Sequence, residues 1–72
     1  MQQNDLTFAF CLHEIAHNIS EHNTFGMRIG KSCLSFVSEE EYEVIDWNGN
    51  HSYHTDLADA IRRFIKVNNR RC

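Results

Sequence analysis

One short run limits the folds open to this chain. In Cys33-Leu34-Ser35-Phe36-Val37, Leu34 and Phe36 fall on one side of an extended backbone, and Cys33 and Val37 fall on the other. An extended segment that is apolar on both sides belongs in the middle of a sheet. Gly30 and Lys31 precede the run, and Glu39, Glu40 and Glu41 follow it. Both ends therefore read as polar connections. The rest of the chain has to supply neighbouring strands and something to cover their apolar side.

Two flanking segments fit the role of neighbours. Phe25, Met27 and Ile29 alternate with Gly26 and Arg28, which predicts a strand. Residues 42–47 alternate Tyr42, Val44 and Asp46 against Glu43, Ile45 and Trp47, and Asn48-Gly49 then gives a strong turn signal. The short links favour an antiparallel meander with residues 33–37 central and residues 42–47 as an outer strand. The inward set is expected to be Phe25, Met27, Ile29, Leu34, Phe36, Ile45 and Trp47. A one-residue slip in the third strand would place Tyr42 and Val44 inside instead. Residues 51–54 read as irregular.

The cover comes from two helical stripes. Phe8, Leu12, Ile15 and Ile19 recur at i, i+4, i+7 and i+11, with Cys11 and Ala16 beside them. Asp5 is the expected N-cap, residues 1–4 are expected to fray, and Asn23 or Gly26 suits a left-handed stop. Leu57, Ala60, Ile61, Phe64 and Ile65 form the second stripe, with Thr55 as expected N-cap and Asp56 and Asp59 in the first turn. The expected fold is α+β: a small two-layer sandwich ordered helix, three-stranded antiparallel meander, helix, with both helices on one face of the sheet. With 72 residues it forms one domain, and a domain of this size buries only about 60% of its unfolded surface.

Composition narrows the function classes. The formal charge of −3 with neutral histidines has the wrong sign for a general nucleic-acid binder. Cys11, Cys33 and Cys72 form no C-x-x-C and cannot all pair within one chain. The densest apolar run, residues 8–12, is too short for a leader or a membrane span. Reduced cysteines, a cytoplasmic location, no membrane contact and no cofactor are expected.

His13-Glu14-Ile15-Ala16-His17 resembles the His-Glu-x-x-His helix of zinc metallopeptidases. That resemblance implies His13 and His17 as zinc ligands, with Glu14 polarising a metal-bound water. It covers five residues. Ser20 and Asn23 stand where the metzincin pattern has glycine and a third histidine, and His22 comes one residue early. The two histidines also point away from the apolar stripe, toward water, where no second shell would orient them. Surface histidines are the expected reading, and a zinc hydrolase is the second alternative.

The first alternative is nucleic acid. Arg62, Arg63, Lys66 and Arg70 lie on the polar side of the second helix. The element order is similar to that of the double-stranded RNA-binding domain, although Thr55-Asp56-Leu57-Ala58-Asp59 is acidic where that family has lysines. His51 and His54 near Cys11 or Cys33 match no zinc-finger spacing, and Cys11 reads as a small core residue.

Two features point to a protein partner. Leu6 and Phe10 project from the first helix on the side away from its stripe, which suggests a partner or homodimer surface. Glu39, Glu40, Glu41 and Glu43 crowd into five residues around Tyr42. Such a cluster repels itself until a basic surface neutralises it. The chain is thus expected to be a non-enzymatic protein-binding module, a small regulator or inhibitor acting through this acidic edge on a basic partner. In size and style it resembles small phage-encoded inhibitors of host machinery, anti-CRISPR proteins among them.

Overall fold

The computed structural model describes residues 6–69. The Asp5 cap, the N-terminal four residues, Arg70 and Cys72 lie outside them. The order is α1 (Phe8–His22), β1 (Gly26–Ile29), β2 (Ser32–Ser38), β3 (Glu41–Ile45), β4 (His51–His54) and α2 (Leu57–Asn69). The strands form one antiparallel sheet in the order β1-β2-β3-β4. Among the described residues no helix is long and apolar enough to cross a membrane.

The expected meander is one strand short. β2 is internal, as its two-sided apolar pattern requires. β3 is internal too, because residues 51–54 fold back on it. The return is built by Asp46. One carboxylate oxygen accepts from the Asn48 and Asn50 backbone N–H groups, both at 2.9 Å. Its own N–H donates to the Asn50 carbonyl at 2.9 Å. Gly49 supplies the positive φ of 88°.

The core runs across the sheet. Met27 faces Leu34, which faces Val44. These three are buried in one cluster with Cys11, Ile15, Ala60, Ile61 and Phe64. Leu6, Phe25, Ile29, Tyr42, Leu57, Ile65 and Val67 pack around it. The third strand therefore takes the slipped register: Val44 and Tyr42 occupy inward positions, and Ile45 lies on the other side. Trp47 falls beyond the end of β3.

Phe36 departs furthest from its expected place. It shares Leu34's side of β2 but stays 46% exposed. β1 reaches only to Gly26 opposite Ser35, and β4 reaches only to His54 opposite Tyr42. The end of the β2–β3 hairpin overhangs both flanking strands, so Phe36 is covered only in part, by Phe25 and Tyr42.

α1 starts at Thr7, whose hydroxyl accepts from the Phe10 N–H at 3.1 Å, and stops at left-handed Asn23 with φ 54°. Its buried side is Cys11 and Ile15 rather than the full expected stripe. Phe8, Leu12 and Ile19 remain 36–44% exposed. Two polar ties set this roll. The Asn18 amide donates to the Gly26 carbonyl at 2.8 Å. The Asn69 side chain accepts from the Leu6 N–H and donates to the Leu6 carbonyl. α2 is capped by Asp56 rather than Thr55, its carboxylate taking the Asp59 N–H at 3.4 Å.

A buried polar latch ties α2 to the sheet. Asn68 donates to the Ser32 hydroxyl at 3.1 Å and to the Phe64 carbonyl at 2.8 Å, and it accepts from the Trp47 indole N–H at 2.9 Å. Ser32 is fully buried and Asn68 nearly so. Gly30, at φ 58°, leaves room for the Trp47 ring, which any side chain there would strike. Replacing Asn68 by Leu removes partners from Ser32 and Trp47 and is expected to cost about 2–3 kcal/mol. In denaturant unfolding, Leu34→Ala is expected to cost about 2–5 kcal/mol and half-exposed Phe36→Ala only about 1–2. Equal losses for Leu34→Ala and Phe36→Ala would contradict the placement of the core.

Candidate functional site

The overhanging hairpin tip gathers most of the unusual surface. Phe36 pairs with Tyr42 and Ser38 with Glu41, and the register shifts between Phe36 and Ser38. Such a bulge re-aims side chains and often sits beside functional sites. Phe36 and Val37 are 46% and 48% exposed. Phe25, Phe36 and Tyr42 form a ring cluster, with centroids 5.5 Å apart for Phe25–Phe36 and 5.9 Å for each pair involving Tyr42. Glu39 and Glu40 make the exposed turn, and Glu41 starts the return strand half-buried. None of these three carboxylates has an ion-pair partner among the described residues.

Glu43 is set apart from that group. Tyr42 points toward the core side, so Glu43 points to the opposite sheet face. There it lies opposite Tyr53. The Tyr53 hydroxyl donates to its carboxylate at 3.0 Å, and the His51 Nδ1 contacts the same oxygen. The His51 hydrogen bond, aided by that of Tyr53 and opposed by partial burial, holds the Glu43 carboxyl below its ordinary value. Glu43 and Glu41 in turn push the Tyr53 phenol up, the hydrogen bond to Glu43 contributing most. Glu43 is thus engaged within the fold, while Glu39 and Glu40 are not. The expected acidic edge along an outer strand is instead an acidic tip, because β3 is flanked on both sides.

The other expected sites are dispersed. Leu6 is half-buried against the core while Phe10 is 45% exposed, so the two do not form one exposed pair. His13 and His17 are exposed on α1 and Glu14 is half-buried beside them. No group of three or more metal-ligating side chains comes together among the described residues. Cys11 is fully buried, and burial together with the Glu14 charge pushes its thiol up, away from the reactive thiolate. Cys33 and His51 lie in one cross-strand row with Ile45 between them. His54 lies on the opposite face of β4 and shares a 3.0 Å contact with the Ser52 hydroxyl.

The basic set is partly consumed. Arg62 pairs with Asp59 at 2.9 Å and its guanidinium stands 5.8 Å from the centre of the Phe8 ring. Arg63 is half-buried and helps hold Asp46 below its ordinary value, after the dominant Asn50 backbone hydrogen bond. Lys66 is exposed. A shallow depression of about 340 Å³ beside β1, lined in part by Asn18, Phe25, Gly26, Arg28 and Cys33, brings no carboxylate into play.

Comparison with protein-family models, with curated proteins and with solved structures gives no match to this chain.

The Glu43 cluster fixes a sign for acid sensitivity. A carboxyl whose folded pKa is depressed stabilises the fold above its ordinary value of 4.5, and that contribution is lost as pH falls through the depressed value. Glu43→Gln is expected to melt less steeply with acid than the parent between about pH 5 and pH 3. Asp46 supplies the residual slope with the same sign. Parallel melting-temperature profiles for the two proteins would contradict the cluster.

Proposed function

We propose that this chain is a non-enzymatic protein-binding module, a small cytoplasmic regulator or inhibitor that engages a basic surface of its partner through the β2–β3 hairpin tip. The observation that carries the reading is the juxtaposition of exposed Phe36 and Val37 with the carboxylates of Glu39, Glu40 and Glu41, which have no ion-pair partner among the described residues, on a hairpin that overhangs the sheet. Exposed aromatics supply contact area at low entropic cost, and an uncompensated acidic rim steers a basic partner. The accompanying architecture is a two-layer one, with both helices over the sheet face that carries Met27, Leu34 and Val44. The tip is then left clear for a partner.

A second surface supports self-association. Phe8, Leu12 and Ile19 run along one side of α1 and remain 36–44% exposed, with Phe10 at 45% further around the helix. A homodimer through α1 would bury them and supplement a small core. Sedimentation at several concentrations reads this out, and a monomer at every concentration would remove it.

The hairpin reading is tested by charge reversal. The double variant Glu39→Lys, Glu40→Lys leaves the core untouched and is expected to melt like the parent. Capture from source cells at low salt is expected to recover a basic protein with the parent and to lose it with the variant. Association of that isolated protein is expected to slow about tenfold or more on reversal, with a weaker salt dependence. A folded variant that associates as fast as the parent at low salt would place binding elsewhere.

A further inference from the structure

We infer that the hairpin tip selects arginine over lysine, by stacking a guanidinium of the partner on the exposed Phe36 ring while Glu39 or Glu40 accepts its N–H donors. This rests on the proposed basic partner and adds the side chain that is recognised. The ring cluster defines where a cation can sit. Phe25, Phe36 and Tyr42 lie 5.5–5.9 Å apart, centroid to centroid, in mutual tilted and edge contact. No ion fits between rings packed that closely, so the cluster is not an enclosing cage. Its most exposed member is Phe36, at 46%, and the half-buried Phe25 and Tyr42 rings pack against it.

Charge fixes the occupant. Glu39 and Glu40 follow Phe36 by three and four residues at the exposed turn, and neither meets a cation among the described residues. A planar, weakly hydrated guanidinium satisfies both demands at once. It stacks on an aromatic face and offers a fork of N–H groups to a carboxylate. An ammonium is more strongly hydrated and meets the carboxylates as a point charge. The chain makes the same kind of contact internally, where Arg62 stands over Phe8 and pairs with Asp59.

Hexa-arginine and hexalysine peptides carry equal charge and separate stacking from simple attraction. At low ionic strength the parent is expected to bind hexa-arginine about two- to fivefold more tightly than hexalysine. The Phe36 ring resonances of the parent are expected to shift with hexa-arginine and far less with hexalysine, a readout that needs no variant. Phe36→Leu is expected to equalise the two peptides, and Glu39→Gln with Glu40→Gln to weaken both. Equal affinities for the parent, or shifts outside residues 36–42, would overturn the arginine inference and leave the basic-partner reading standing. Failure of both peptides to bind would overturn the two together.

Discussion

The fold depends on Leu34 being closed in on all sides. Met27 and Val44 flank it across the sheet, and Ile61 and Phe64 of α2 share its cluster. A domain this small has little apolar surface to spare, so its burial concentrates at one place. The Asn68 latch extends that place toward the start of β2 by bonding to Ser32 and Trp47. The network is fully satisfied at Asn68, so it adds rigidity without leaving a buried orphan. Among the described residues, no buried polar network of this kind holds the far end of β2.

That asymmetry separates support from surface. One end of β2 is bound to both flanking elements and to α2, and the other end overhangs them. Phe36 keeps the side dictated by strand alternation yet emerges into solvent, because the strands beside it stop first. The bulge after it and the acidic turn then crowd apolar and charged groups together at the tip. On the opposite sheet face, Glu43, His51 and Tyr53 tie β4 to β3. Glu43 is thereby spent on the fold, although in sequence it belongs to the same acidic run.

Much of this was legible in the residues. The two-sided apolar pattern of residues 33–37 marked an internal strand, Asn23 was one of two marked stops for α1 beside Gly26, and the stripe containing Ala60, Ile61 and Phe64 marked the buried side of α2. β4 was not legible, since His51, Ser52 and His54 surround its single aromatic and leave no hydrophobic period. The roll of α1 was misread: the stripe of Phe8, Leu12 and Ile19 stays exposed, and the buried side is Cys11 and Ile15. Asn18 ties that orientation to nearby Gly26, and Asn69 ties it to Leu6 from the other end of the chain. Alternation told which side Phe36 takes but not how far its cover extends. The role of Glu43 was hidden for the same reason as β4.

We propose that the hairpin tip lies outside the cooperative core and is the contact surface. Residue-resolved amide hydrogen exchange, on the free protein and on its complex with the captured partner, tests this most directly. In the free protein, protection is expected to peak at Leu34, Val44, Ile61 and Phe64 and to be lowest at Glu39 and Glu40. In the complex, new protection is expected to be confined to residues 36–42. New protection centred on α1 or α2, with the tip unchanged, would contradict that role for the tip.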